Sequence, residues 1–156
     1  METRKHCITY REFSSFEELP HPYDILFDKA LKAVESSYAP YSNFNVGAAV
    51  LMGNGVVVTG SNQENAASPS GLCAERVALF SAHHQFPSES VEAIAIVAKH
   101  KGHITEELTY PCAACVQVMI ESQKRSGKPI EIMVGSATKV HIMDSVDDLA
   151  PFSFGK

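Results

Sequence analysis

Three of the four cysteines stand at the predicted starts of two helices, thirty-nine residues apart in the chain. Cys112 and Cys115 belong to a Pro-Cys-Ala-Ala-Cys motif, and Cys73 opens the motif Cys-Ala-Glu-Arg. Because residues three apart on a helix share a face, both thiols of the pair can reach one metal ion. The unpaired N–H groups and the positive dipole end of a helix N-terminus also stabilise thiolates. One site that uses all three thiols must therefore lie where the two helices begin.

The combined spacing matches a known pattern of catalytic zinc ligands. Zinc deaminases carry His or Cys, then any residue, then Glu, followed later by Pro-Cys-x-x-Cys. Cys73-Ala74-Glu75 and the segment 111–115 satisfy every specified position. Three protein ligands leave the fourth position of zinc open to water, whose pKa the ion lowers to about 7. Glu75 lies roughly 200° around a regular helix from Cys73, so we expect it to transfer a proton instead of binding zinc.

Two other interpretations of the cysteines stay open at this point. The Cys112–Cys115 pair alone also suits a redox site, although that interpretation gives Cys73 and Glu75 no role. A closed structural zinc site needs a fourth ligand, from Cys7 or from one of the seven histidines. Cys7 belongs to a polar, charged N-terminal stretch, and the histidines at 83 and 84 fall late in the second predicted helix. We therefore favour the catalytic site.

The hydrophobic pattern predicts an α/β sandwich, in which a mixed sheet packs against helices. Helices are predicted over residues 23–38, 73–85 and 111–124, with a last helical turn at 147–149. Strands are predicted over residues 44–52, 56–61, 91–98, 130–134 and 139–143. Gly53-Asn54-Gly55 predicts a tight turn between the first two strands. We divide the chain into an N-terminal extension, residues 1–20, and one catalytic domain, residues 21–156.

Composition excludes several classes of partner. Thirteen Lys and Arg residues stand against eighteen Asp and Glu residues, a net charge of −5, so the basic surface typical of polynucleotide binding is missing. The longest apolar stretches, 47–52 and 93–98, are far shorter than the roughly 20 residues that span a bilayer. The first twenty residues contain no apolar signal segment. We predict a cytoplasmic protein with reduced thiols and no membrane or polynucleotide partner.

The chain resembles the zinc-dependent cytidine deaminase family, in particular its small homotetrameric branch. The resemblance covers residues 23–154 and rests on four motifs in the family order: Tyr-Ser-Asn-Phe-Asn-Val-Gly-Ala-Ala-Val (41–50), Asn-Gln-Glu-Asn-Ala-Ala (62–67), Cys-Ala-Glu-Arg (73–76) and Pro-Cys-Ala-Ala-Cys (111–115). It implies a five-stranded mixed sheet flanked by helices and one Zn²⁺ per subunit. It also implies hydrolytic deamination of free cytidine and 2′-deoxycytidine to the uridines and ammonia, in pyrimidine salvage.

The same resemblance implies roles for five residues around the nucleoside. Asn62 and Glu64 would hydrogen-bond the ribose, and Phe44 would stack on the pyrimidine. The backbone N–H of Ala74 would contact the carbonyl of the base. Phe154, in the C-terminal tail, would reach the active site of a neighbouring subunit in the homotetramer.

Three positions depart from the family pattern. Ala113 replaces a glycine, Val116 replaces an arginine, and Ser68 stands where an aromatic residue is common. Three thiolates and a hydroxide around Zn²⁺ sum to −2, which requires nearby donors or positive dipoles, and Arg76 can supply one guanidinium. The departures leave two alternatives open: a divergent deaminase of another aminated base or nucleoside, and a non-catalytic zinc-binding module.

Overall fold

The structure, a computed structural model, describes residues 1–155, so the last residue of the predicted catalytic domain lies outside the described part. Its centre is one mixed sheet of seven strands. The strands are β1 (Tyr10–Phe13), β2 (Phe44–Met52), β3 (Val57–Ser61), β4 (Val91–His100), β5 (His103–Ile104), β6 (Glu131–Gly135) and β7 (Val140–Met143). Their order is β1-β7-β6-β4-β2-β3, and β5 pairs with the end of β4. The predicted α/β class is confirmed.

Three α-helices cover the two faces of the sheet: α1 (Tyr23–Ala33), α2 (Ala74–Gln85) and α3 (Ala113–Ser126). Alternate residues of a strand point to opposite faces, so Ala48 and Val50 of β2 pack in the core under α2 and α3, whereas Ala49 packs under α1. β4 and β6 are the one parallel pair among the described strands, and α3 provides the crossover that a parallel pair requires. In residues 1–155 no helix is long and apolar enough to cross a membrane.

The predicted number of strands was wrong by two, although the five predicted strands all form. The additional strand β5 has two residues and closes a short hairpin on β4. The other, β1, lies in the N-terminal extension and pairs antiparallel with β7, from Tyr10 opposite Met143 to Phe13 opposite Val140. The first three residues of β1 are exposed. A strand exposed in this way needs no alternation of apolar and polar residues, and its sequence shows none. Its strand conformation comes from backbone pairing at the sheet edge.

The helix boundaries follow local backbone signals. Helix α1 ends earlier than predicted, at Ala33, and continues as a 3₁₀ turn over Val34–Ser36. Helix α3 ends at Ser126 and is capped by Gly127, which has a φ of 68°, the left-handed conformation that glycine adopts at low cost. Gly60 allows α2 to pack directly on β3, because a Cβ at this position would lie 2.5 Å from the Ala78 nitrogen and 2.7 Å from the Ala74 oxygen. This contact fixes the end of α2 that carries the first cysteine motif.

Candidate active site

The three cysteines of the two motifs come together where α2 and α3 begin. Cys73 directly precedes α2, Cys112 directly precedes α3, and Cys115 lies in the first turn of α3. The Sγ atoms of Cys73 and Cys112 are 4.0 Å apart, and those of Cys112 and Cys115 are 3.5 Å apart. All three sulfurs lie within 4.8 Å of one another. Of the residues that the structure describes, these form the one such cluster of three metal-ligating side chains.

The cluster fits a zinc ion with three thiolate ligands. A Zn–S distance of about 2.3 Å in tetrahedral geometry places two sulfur ligands about 3.8 Å apart, close to the observed separations. Within residues 1–155 the cluster contains neither Cys7 nor a histidine, so the fourth ligand that a closed structural site requires is not there. Three thiolates with a free fourth position are the ligand set of a catalytic zinc site.

The surroundings of Cys73 stabilise negative charge on its sulfur. A hydrogen bond from Cys115, followed by one from Arg76, lowers the pKa of Cys73 to about 5, against the opposing effect of burial. The same contact with Cys73, together with burial, raises the pKa of Cys115. The Nη2 atom of Arg76 lies 3.7 Å from the Sγ atom of Cys73. The contact raises the pKa of Arg76, so the guanidinium stays charged beside the sulfurs.

Glu75 is the buried acid of this site. It lies in the first turn of α2 and is 5% exposed. Burial is the main cause that raises the pKa of Glu75, and the negative charge of Cys73 adds to it, while the backbone N–H of Glu75 itself acts in the opposite direction. A carboxyl group with a raised pKa binds a proton more readily than a free one, so it can donate a proton as well as accept one. Its burial next to the sulfurs therefore suits proton transfer.

An open cleft of about 450 Å³ reaches one of the three cysteines, Cys73. Its walls are the loop around Asn62 and Glu64 together with Tyr41, and Cys73 and Arg76 line it as well. Small-molecule sites in proteins occupy about 300–1,000 Å³. The cleft is large enough for a small organic ligand that reaches Cys73.

Comparison with known proteins gives the family. Residues 22–127 match the model of the cytidine and deoxycytidylate deaminase zinc-binding region. The chain belongs to this deaminase family. A cytidine deaminase from Halalkalibacterium halodurans is 46% identical over 97 residues, which are 62% of this chain and 69% of that protein. The family carries a zinc-binding region, and the cluster of Cys73, Cys112 and Cys115 is where this chain can hold the ion.

Solved structures of the same family have the same fold. The crystal structure of a cytidine deaminase from Burkholderia pseudomallei is 39% identical, covers 87% of this chain and all of that one, and superposes with a TM-score of 0.70. A cytidine deaminase from Mycobacterium tuberculosis is 31% identical, covers 88% of this chain and all of that one, and has a TM-score of 0.68. The cysteine motifs of this deaminase thus lie in the fold shared by its relatives.

Asn62 lies in the cleft wall with most of its amide already bonded. Its Oδ1 accepts hydrogen bonds from the Val46 N–H at 2.8 Å and from the Ser37 hydroxyl at 2.5 Å. Its Nδ2 donates to the Phe44 carbonyl at 2.9 Å, which leaves one N–H free to donate. The side chain is therefore held in one orientation before any ligand binds.

Glu64 is held by the turn that precedes β2. Its Oε1 accepts a hydrogen bond from the Ser42 hydroxyl at 2.5 Å, and its Oε2 accepts from the Tyr41 N–H at 2.9 Å. The bond from the Ser42 side chain is the main cause that lowers the pKa of Glu64. The Ser42 hydroxyl also accepts from the Phe44 N–H at 3.0 Å. Sequence reasoning missed Tyr41, which lines the cleft, and Ser42, which holds Glu64, although both stand in the 41–50 motif that carries the resemblance.

The other three residues predicted to contact the substrate, Ala74, Phe44 and Phe154, lie in three separate parts of the structure. Ala74 is fully buried at the start of α2, and its N–H forms no hydrogen bond within the described residues. The Phe44 ring lies 6.1 Å from the His100 ring and is half-buried. Phe154 is 87% exposed, and its carbonyl accepts a bond from Gln117 of α3. Its ring does not line the cleft of its own chain, so the role predicted for it requires a second subunit.

The three departures from the family pattern differ in their surroundings. Ser68 lines the cleft, so the missing aromatic ring changes the wall of the ligand site. Val116 lies one helical turn after Cys112 and packs, half-buried, against the core under α2 and α3. Ala113 is exposed in the first turn of α3. Arg76 is thus the one cationic side chain in contact with the sulfurs, among the residues described.

Proposed function

We propose that this chain hydrolyses cytidine to uridine and ammonia. The observation that carries the proposal is the position of the buried Glu75 beside three clustered thiols, one of which, Cys73, lines a cleft of about 450 Å³. The relatives named cytidine deaminase support this choice of substrate. The reaction adds water at C4 of the ring and releases the amino group from the same carbon.

Cys73, Cys112 and Cys115 would hold zinc, which activates water near neutral pH. Glu75 accepts a proton from the water and passes it to N3 of the pyrimidine. It then helps to deliver the second proton to the departing amine, so that ammonia leaves. Arg76 offsets part of the negative charge of the sulfurs.

The cleft residues would hold the nucleoside. Asn62 donates its free N–H to a sugar hydroxyl. Glu64, whose pKa is lowered, is a carboxylate and accepts a hydrogen bond from a sugar hydroxyl. The unbonded N–H of Ala74 would donate to the carbonyl of the base, and the Phe44 ring would stack on its face. Both cytidine and 2′-deoxycytidine carry the 3′-hydroxyl, so we propose that both are substrates.

We also propose the wider setting of the reaction. Residues 21–156 would form the catalytic domain, and residues 1–20 an extension of it. The protein would act as a homotetramer in the cytoplasm, in pyrimidine salvage. Phe154 is 87% exposed in the single chain, so its ring is accessible for insertion into a neighbouring active site.

Ammonia release from a panel of nucleosides, free bases and nucleotides tests the function. Zinc-loaded wild-type protein should deaminate cytidine and 2′-deoxycytidine. The variant Glu75→Gln should keep its zinc and lose at least about 10²–10⁴-fold in kcat, the usual contribution of a general acid–base group. Glu121→Gln, on the exposed side of α3, is the matched control and should keep wild-type activity.

The same panel separates the proposal from its alternatives. Ser68 leaves its own part of the cleft wall without the aromatic side chain common at this position, and this favours tests of other aminated bases and nucleosides. Turnover of one of them without turnover of cytidine would show a divergent deaminase. Bound zinc with no ammonia release from any compound would show a non-catalytic module. Near wild-type turnover of cytidine by Glu75→Gln would contradict the role of Glu75.

A further inference from the structure

A chain of three hydrogen-bonded side chains runs from the N-terminal strand towards the metal-ligating cysteines. The Oε2 atom of Glu12 in β1 lies 2.6 Å from Nε2 of His141 in β7. On the other side of the ring, Nδ1 of His141 lies 2.6 Å from the hydroxyl of Tyr110. The His141 side chain is only 9% exposed, and the ring of Tyr10 stacks on it with a centroid separation of 4.4 Å. The mechanism proposed above uses none of these residues.

The hydrogen-bond chain has a definite direction when His141 is neutral. A carboxylate only accepts hydrogen bonds, so Nε2 of His141 must carry the proton that points to Glu12. A neutral imidazole then offers Nδ1 as an acceptor, and the Tyr110 hydroxyl donates to it. Glu12 therefore fixes the tautomer of His141, and His141 fixes the position of Tyr110. Metal-ligating groups in proteins are commonly oriented through such outer partners.

Tyr110 stands two residues before Cys112, in a segment with few other attachments. In the described structure, residues 107–111 form no hydrogen bond to the rest of the protein except the one from the Tyr110 hydroxyl. Leu108 packs partly against the core, and Cys112 itself is exposed, whereas Cys115 is buried in α3. Of the two cysteines in this motif, Cys112 thus depends more on how the loop before it is held.

We propose that His141 is a positioning residue, through which β1 of the N-terminal extension holds the loop that presents Cys112 to zinc. This inference rests on the zinc site of the proposed function. It gives the extension a part in retaining the metal, although none of its described residues belongs to the cysteine cluster.

The rate at which bound zinc passes to a chelator tests this proposal. Tyr110→Phe removes only the hydroxyl, and Glu12→Ala removes the carboxylate. The net effect of one hydrogen bond predicts that each variant releases zinc about 3- to 10-fold faster than wild type. Because the two changes break the same chain, the double variant should release zinc no faster than the faster single variant. Glu12→Gln keeps an acceptor for His141 and should restore most of the wild-type rate.

A second residue of the same strand provides the matched control. Arg11 binds Glu131 at 2.6 Å and Asp144 at 2.9 Å, and in the described structure no side-chain hydrogen bond or ion pair joins it to His141. Arg11→Gln therefore loosens β1 without breaking the hydrogen-bond chain, and should lower the Tm while zinc release stays at the wild-type rate.

Two results would overturn the proposal while the proposed function stands. One is zinc release at the wild-type rate from both Tyr110→Phe and Glu12→Ala. The other is an equal acceleration by Arg11→Gln, which would show that β1 only stabilises the sheet. A wild-type chain that binds no zinc would instead overturn the proposed function, and this inference with it. Zinc release does not depend on which nucleoside is the substrate, so these failures are distinct.

Discussion

Arg76 offers the sharpest test of charge balance at the zinc site. Its Nη2 atom lies 3.7 Å from the Sγ atom of Cys73, and position 116, where the resemblance implies a second arginine, is a half-buried valine. The Nε atom of Arg76 is buried without a hydrogen-bond partner in the described structure. An unpaired buried donor costs free energy, so the guanidinium adds little to the stability of the metal-free fold. Arg76→Gln should therefore weaken zinc binding without lowering the free energy of unfolding of the zinc-free protein.

The magnitude follows from the contact between the guanidinium and the sulfur. Two unit charges 3.7 Å apart attract by about 4.5 kcal/mol at an effective dielectric constant of about 20, before the cost of removing both from water. Hydrogen bonds to charged groups contribute a net value of about 1.5–3 kcal/mol, and loss of an outer partner of a metal ligand typically costs about 10–100-fold in affinity or activity. We expect a loss in that range for Arg76→Gln.

The assay is chelator competition for zinc, followed by kcat for cytidine on the reloaded protein. Adding Val116→Arg to Arg76→Gln should restore part of the loss, because position 116 lies one turn after Cys112 on α3. Lys124→Gln, in the last turn of the same helix, removes one positive charge far along α3 and serves as the control. Wild-type zinc affinity and activity in Arg76→Gln would refute the reasoning, and would leave the helix N-termini as the elements that balance the charge.

Three other outcomes test the site. Alanine at any of the three clustered cysteines should lower zinc content and abolish deamination, whereas Cys7→Ala should do neither; zinc analysis and ammonia release check this. Gly60→Ala should displace α2 from β3, because the new Cβ would lie 2.5 Å from a backbone atom, and should lower the free energy of unfolding by about 1–3 kcal/mol with partial loss of zinc. A chemical denaturation curve that matches wild type would contradict the close contact. Glu64→Gln should raise KM for cytidine more than it lowers kcat, and an unchanged KM would remove Glu64 from sugar binding.

Much of the fold was predictable because its central elements carry their own signals. The residues of β2 and β4 are apolar over most of their length, since both faces of these strands are covered by helices. The residues of β1 carry no such signal, because this strand is mostly exposed and is held by backbone pairing with β7, which requires no apolar pattern. The early end of α1 was also missed. Residues 34–36 keep a helical pattern while their backbone tightens to a 3₁₀ turn.

The candidate site was predictable where chemistry restricts the residue type. Metal ligation requires thiols at set spacings, and Cys73, Cys112 and Cys115 do come together. The residues that orient the cleft were not predictable in this way. Ser42 holds Glu64 through a hydroxyl that many turns contain, and His141 meets Tyr110 only after β7 and the loop before α3 are placed. Such contacts depend on tertiary placement, which no local pattern in the sequence specifies.

The convergence of two helix starts on one ion has a consequence for local motion. Helix ends normally open more readily than helix centres, and their amide protons exchange with solvent accordingly. Bound zinc would tie the residue before α2 to the residue before α3 and to Cys115, so neither first turn can unwind while the ion stays in place. Hydrogen exchange at the first turns of α2 and α3 should then slow together when zinc binds and recover together when it leaves. Two segments distant in the chain would thus open as a single unit.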